Sequence, residues 1–243
     1  MAGLDHRGKG YGLLRGNGLE IGALHQPAPV PKDCTVEYCD AYSKEELTDI
    51  YPELPPEAIL EVHHVCDLDK DGLAPFRDRP FDFVIANHVL EHVANPIRSL
   101  EEIFRVTRRK GLVVLSVPDQ DYASDKNREL TSFDHLLDEY RRRVTVVTDE
   151  HYIDFLRQTY PGILELGREG REHYMARVRR RRDHAHVWNS ATFREFLARA
   201  LTHLSLRADC LFESTGPDNG FEYFTVWRKK RMGGLFFRRR PVG

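Results

Sequence analysis

Between residues 18 and 117 the chain alternates short apolar runs with helix-like stretches, and most of the runs close on an acid, an amide or a glycine. That alternation is the pattern of a parallel sheet whose strands are joined by crossover helices. Strands are predicted at 18–22, 36–40, 62–67, 81–87 and 112–117. The clearest helix is predicted over 96–108. Pro96 suits a first helical turn, Ile97, Leu100, Ile103 and Val106 form one apolar stripe, and Gly111 follows as a stop.

Past the fifth strand the alternation lapses. Residues 119–186 are polar and rich in charge and histidine, with only local helical signals such as Leu136-Leu137-Asp138-Glu139-Tyr140. A connection this long is functional or carries elements of its own. Regularity returns with a helix near 190–203, where Ser190 can cap and Phe193, Phe196, Leu197 and Leu201 share a face. Runs at 206–212 and 221–228, divided by Gly216-Pro217-Asp218-Asn219-Gly220, read as an antiparallel hairpin. The fold class expected is therefore α/β, a doubly wound Rossmann-like sheet, mostly parallel with a C-terminal antiparallel hairpin. One domain is expected over 1–228, with 119–186 as an acceptor-binding insertion and 229–243 as a basic, disordered tail.

Composition narrows the function classes. With 41% hydrophobic and 30% charged residues the chain has the make-up of a soluble globular protein. No run approaches the roughly 18 to 20 apolar residues that span a bilayer, and the first residues lack the apolar stretch of a secretory signal, so a cytoplasmic location is expected. A net charge of -2 argues against nucleic acid as a partner. Two basic runs, Arg177 to Arg182 and Arg228 to Arg240, read as solvated faces or tail. Cys34, Cys39, Cys66 and Cys210 form no Cys-x-x-Cys pair, so they are read as reduced thiols rather than a zinc or redox motif. A homodimer is entertained as the assembly.

In an open α/β sheet a ligand lies outside the carboxyl ends of the strands. The first strand ends Leu19-Glu20-Ile21-Gly22-Ala23, the second Val36-Glu37-Tyr38-Cys39-Asp40, the third Val65-Cys66-Asp67-Leu68, and the fourth Phe81-Asp82-Phe83-Val84-Ile85-Ala86-Asn87-His88. The twenty residues between Glu20 and Asp40 match the usual separation for a carboxylate that binds ribose hydroxyls. The later glycine positions of a Gly-x-Gly-x-Gly turn are Leu24 and Gln26, and Pro27, Pro29 and Pro31 forbid a long helix after them, which disfavours a dinucleotide.

This constellation, with Leu90-Glu91-His92 and the run from Arg109 to Pro118, resembles class I S-adenosylmethionine-dependent methyltransferases over roughly residues 18–118. The resemblance implies S-adenosylmethionine as cofactor, with Glu20, Ile21, Gly22 and Ala23 at the methionine end, Asp40 at the ribose, Asp67 and Leu68 at the adenine, and Asn87 and His88 at the methionine portion. Leu90, Glu91 and His92 are expected to begin the next helix, with His92 in a packing role. The segments Leu19–Pro27, Val117–Tyr122, Asn127–Leu137 and Asp183–Trp188 look like those of bacterial polysaccharide and sugar O-methyltransferases, the mycobacterial methylmannose polysaccharide type among them.

The acceptor expected on that basis is a sugar or glycan hydroxyl. A hydroxyl is a weak acid that needs a base, and His135 is the first choice, with Asp134 to orient it and His184 as the second choice. Asp119, Tyr122, Asn127, Arg128, His186 and Trp188 supply the polar groups and aromatic plane for a carbohydrate. Asp119, Asp134, His135, Asp183, His184 and His186 are also considered as ligands for a magnesium ion, with no ligand set fixed. Competing readings are methylation of a lipid, polyketide or amine, a non-catalytic protein that only binds the cofactor, and, more distantly, a nicotinamide oxidoreductase.

Overall fold

The computed structural model describes residues 4–77 and 80–230. Its strands are β1 (Asn17–Ile21), β2 (Thr35–Asp40), β3 (His64–Val65), β4 (Phe81–Asn87), β5 (Thr107–Pro118), β6 (Ala208–Ser214) and β7 (Glu222–Lys229). They form one sheet in the order β3-β2-β1-β4-β5-β7-β6. All neighbours from β3 to β5 are parallel, and β7 runs antiparallel to both β5 and β6. The expected α/β sheet with its antiparallel closing pair is thus present.

Period-two alternation decides which side chains face which layer. From β4, Val84 and Ala86 enter the larger core, while Phe83 and Ile85 enter the smaller one on the opposite face. Phe81 has the parity of Phe83 yet lies in the larger core, because the β4–β5 register shifts between Phe81 and Phe83. Helices α3 (Pro96–Val106) and α7 (Ser190–His203) cover the larger core with Ile97, Leu100, Ile103, Phe193, Phe196 and Leu197. The other face is closed by the N-terminal segment, whose short helix α1 (Gly8–Tyr11) brings Tyr11 and then Leu14 onto Phe83 and Phe224. Gly18 is required in β1 because a Cβ there would stand 1.9 Å from the Phe83 ring.

Several sequence expectations are corrected. Only His64 and Val65 of the strand expected over 62–67 pair in the sheet. After Cys66 the chain turns away, with the Asp67 carbonyl accepting from the backbone N–H groups of Lys70, Asp71 and Gly72. Leu90, Glu91 and His92 lie in a turn, and the helix starts only at Pro96, capped by the Asn95 side chain on the Arg98 N–H. The cap of α7 is Asn189, which forms a capping box with Thr192, rather than Ser190. The hairpin connection contains the single-turn helix α8 (Gly216–Asn219), and after α2 (Lys44–Ile50) the second crossover is irregular.

The lapsed region holds three helices, α4 (Phe133–Arg142), α5 (Asp149–Thr159) and α6 (Arg168–Arg181). α5, α6 and the turn between them enclose a separate small core of Tyr152, Phe155, Leu156, Ile163, Met175 and Val178, while α4 lays Leu136 on the larger core. The first basic run is engaged rather than free: Arg179 pairs with Asp149 and Glu172, Arg181 with Glu53, and Arg182 with Asp67. Of the expected tail, Lys229 belongs to β7 and donates to the carbonyl oxygens of Phe104 and Thr107, while residues 231–243 lie outside the described residues. Among the described residues no helix is long and apolar enough to cross a membrane.

Candidate active site

A cavity of about 870 Å³ opens at the carboxyl ends of β1, β2 and β4, a size in the range of roughly 300–1,000 Å³ typical of small-molecule sites. Parallel strands deliver their last residues to one edge, so Glu20, Ile21, Gly22, Ala23, Asp40, Leu68, Asn87 and His88 line it together. Gly22 sits at φ +71, where a side chain is strained, and the chain turns there into the proline-rich loop. That loop folds back so that the Ala28 N–H donates to both oxygens of Glu20, at 3.0 and 3.1 Å.

Two carboxylates in this wall are held above their ordinary range. Burial pushes Glu20 up to about 7, against the Ala28 hydrogen bond and Arg7. Burial likewise pushes Asp40 up to about 6, against the hydrogen bonds from Tyr42 and Ala41 and the charge of Arg182. Asp67, expected beside them, points elsewhere: its two oxygens accept from the Arg182 guanidinium at 3.0 and 2.5 Å, while its neighbours Cys66 and Leu68 line the cavity. Burial acts to raise Asp67 too, yet the Arg182 pair holds it down at about 2.

The β4 end carries a second charge system. Asn87 donates to the Tyr11 hydroxyl at 2.9 Å and accepts from Ser116. His88, at φ 52, has Nε2 2.8 Å from Glu222 and Nδ1 3.3 Å from Glu91. Glu222 is fully buried and also accepts two 2.5 Å hydrogen bonds from Arg7, with His6 at 2.6 Å. Burial acts to discharge His88, but the two carboxylates overcome it and raise it to about 9, so it is a cation at neutral pH. Burial acts to raise Glu222, and His88 and Arg7 together hold it at about 2. Phe221 stacks on the His88 ring with centroids 5.3 Å apart and stays 39% exposed at the cavity mouth.

His92, four residues on, behaves oppositely. Burial holds it down at about 4, so it is neutral. Its Nδ1 lies 2.5 Å from the Arg182 carbonyl oxygen and so carries the proton. Nε2 is left with the lone pair, 3.9 Å from Glu91. Behind it stands His184, whose Nδ1 is 2.5 Å from Asp125 and whose ring centroid is 4.8 Å from that of His92.

The residues chosen from sequence as base and acceptor contacts are mostly elsewhere. His135 does not line the cavity, and Asp134 does not orient it: Asp134 pairs with Arg199, and the partner of His135 is Glu139, one helical turn on. Asp119 is buried and accepts from the Ser190 backbone N–H and hydroxyl, anchoring the start of α7. Arg128 is buried among Asp125, Asp154 and the carbonyls of His184 and Ala185. His186 and Trp188 are buried in the protein interior, the latter against Phe193 and Phe196, whereas Tyr122 and Asn127 are exposed outside the cavity. Sequence reasoning missed Arg7, Phe221, Glu222 and Arg182 and gave His92 only a packing role. No spacing rule links Arg7 to Glu222 across 215 residues.

Residues 38–200 match a family described as a methyltransferase domain. The chain is 52% identical over 42 residues to an uncharacterized methyltransferase of Mycolicibacterium gilvum, covering 17% of this chain and 16% of that one. It is 43% identical over 47 residues to an uncharacterized protein of Methanocaldococcus jannaschii, covering 19% and 23%. These matches thus span less than a quarter of either relative's length. A solved S-adenosylmethionine-dependent methyltransferase of Methanosarcina mazei aligns with 92% of this chain and 96% of its own at 18% identity and TM-score 0.46. A zinc-dependent alcohol dehydrogenase fold from Rhodobacter sphaeroides aligns over 90% and 85% at 12% identity and TM-score 0.50.

Proposed function

Because the chain belongs to the methyltransferase domain family of S-adenosylmethionine-dependent enzymes, we propose that it transfers a methyl group to a hydroxyl of a sugar or glycan. The observation that supports the methyl-transfer part of this reading is the single cavity wall formed by Glu20, Gly22, Asp40, Leu68, Asn87 and His88; the carbohydrate acceptor rests on the sequence resemblance and on the Phe221 ring at the mouth. The wall residues fit the cofactor. The buried Glu20 and half-buried Asp40 suit an ammonium and a pair of ribose hydroxyls, the apolar Leu68 beyond β3 suits a flat base, and the absent Cβ of Gly22 opens the approach. When bound, S-adenosylmethionine supplies an electrophilic methyl group.

The chain's own task is then to bind the acceptor, align it and remove its proton. His88 is already protonated and cannot serve as the resting base. His92 is neutral, lines the cavity and presents Nε2 as acceptor, its tautomer fixed by the Arg182 carbonyl. The charge it gains would stand 3.9 Å from the Glu91 carboxylate, which lowers the cost of forming it. The half-exposed Phe221 ring offers the aromatic plane that a sugar ring can stack on, the role the sequence had given to Trp188. A magnesium ion does not fit the residues considered for it. Asp119, Asp134 and His184 are bound to Ser190, Arg199 and Asp125 respectively, and they do not converge.

The test is transfer from labelled S-adenosylmethionine to a panel of oligosaccharides, lipids, polyketides and amines, with wild type and His92→Ala. Label is expected in carbohydrate. His92→Ala should lower kcat by roughly 10²–10⁴-fold while leaving the affinity for S-adenosylhomocysteine unchanged. Label only in non-carbohydrate acceptors would overturn the acceptor class, and full activity of His92→Ala would remove it as the base.

A further inference from the structure

Away from the cavity, α4, α5 and the segment before α7 bring His135, Glu139, His151 and His186 to one point, with one candidate ligand atom from each lying within 4.8 Å of the others. None of the four lines the cavity. His135 and Glu139 are one turn apart on α4 and so share a face. His135 Nε2 lies 3.1 Å from Glu139 Oε1 and 3.1 Å from His151 Nε2, and His151 Nε2 is 3.6 Å from Glu139 Oε1. Four ligands at the zinc distance of about 2.0–2.1 Å define a tetrahedron with edges of roughly 3.4 Å. The three measured edges straddle that value.

The hydrogen bonding around the cluster is also that of ligating imidazoles, which usually give their outer N–H to an oxygen and so fix the tautomer. His151 Nδ1 lies 3.1 Å from the Thr148 hydroxyl, leaving Nε2 to face the cluster. His186 Nε2 lies 3.0 Å from the Val93 carbonyl oxygen, to which it donates, and 3.7 Å from Glu139 Oε2, so Nδ1 keeps the lone pair and the ring presents it to an ion by a small rotation. That Nδ1 is buried with no hydrogen-bond partner, and so is Glu139 Oε2; the two side chains are 1% and 6% exposed.

We propose that His135, Glu139, His151 and His186 form a binding site for a zinc-class divalent transition-metal ion. Three nitrogens and one oxygen match the preference of zinc rather than of magnesium or calcium. With four protein ligands the site is closed and structural. It pins α4 and α5 to the segment whose Ala185 and His186 N–H groups bind the Glu91 carbonyl, and thereby holds the insertion against the cavity wall.

The full chain, stripped with a chelator and dialysed, is titrated with zinc alone by calorimetry and with cobalt alone by visible absorption. Wild type is expected to bind one equivalent, with the intense ligand-field bands of four-coordinate cobalt and a rise in Tm. Glu139→Gln, His151→Asn and the exposed-site variant His135→Asn should each weaken binding at least tenfold. His184→Asn, in the neighbouring Glu91–His92–His184 group, should leave it unchanged. Absence of binding by wild type overturns the proposal. So does unaltered affinity in Glu139→Gln and His135→Asn, or loss of binding in His184→Asn.

Discussion

The cavity wall and the helices between β5 and α7 both gather histidines around carboxylates, but only at the wall does one imidazole stand between two of them. At the wall Glu222 and Glu91 flank one imidazole, His88, and Arg7 supplies further positive charge to Glu222. In the insertion one carboxylate, Glu139, faces His135, His151 and His186. Each imidazole follows its own nearest partner: His135, like His88, is raised, by its hydrogen bond to Glu139. His88 is raised to about 9 in spite of its burial, whereas burial lowers His151 and His186. Burial alone does not decide the charge of a histidine: a directly hydrogen-bonded carboxylate offsets it, as at His88 and His135, and one that acts only through space does not, as at His92 and His151.

The largest effect should come from removing a carboxylate where they are in excess. Glu222→Gln leaves Arg7 buried without its counter-charge and His88 with Glu91 alone, a change expected to cost about 3–5 kcal/mol in urea unfolding. A loss below about 1 kcal/mol would mean that the wall is not an ion-paired unit.

A smaller effect separates the two regions by pH. The folded pKa of His88, about 9, exceeds its ordinary 6.5. The stability it contributes is therefore complete below pH 6.5 and is lost as pH rises through 9, on the order of 3 kcal/mol. For Glu222 the folded value of about 2 lies below the ordinary 4.5, so its share is present above 4.5 and disappears as pH falls through 2. In the insertion the direction reverses. His151 and His186 bind protons less readily folded than unfolded, so that region weakens as pH drops below 6.5. Glu20 and Asp40, raised to about 7 and about 6, also lose stability as pH rises through those values, so the contrast is read from the difference between wild type and His88→Asn, which should shrink between pH 6.5 and 9. An unchanged alkaline limb in that variant would break the contrast.

The smallest effect is expected at the mouth. Phe221→Ala removes a stacking face worth about 1 kcal/mol, which should raise the acceptor KM several-fold with kcat retained. A fall in kcat alone would place Phe221 in the positioning of His88 instead.

What could be read from the sequence follows the same division. Glu20, Asp40, Asn87 and His88 were legible because parallel strands must bring their carboxyl ends to one edge, so position along the chain becomes position in space. Asp67 was found at its strand end, but its partner Arg182 lies 115 residues away, and no local rule pairs them. In the insertion the period-2 and crossover signals vanish. His135, the first choice as base, stands beside Glu139 on α4 and does not line the cavity. Its neighbour Glu139 is visible as an i, i+4 pair, whereas His151 and His186 join only through the packing of α5 and the chain before α7. Leu90–His92 was misread because a Leu-Glu-His string suits a helix start, while Asn95 and Pro96 set the actual one.

The most direct test of the cavity as the cofactor site is calorimetric titration of wild type and Asp40→Ala with S-adenosylhomocysteine. Wild type should bind one equivalent, and loss of a charge-assisted hydrogen bond should weaken the variant by roughly tenfold or more. Failure of wild type to bind, or equal affinity in Asp40→Ala, would contradict the assignment of this cavity.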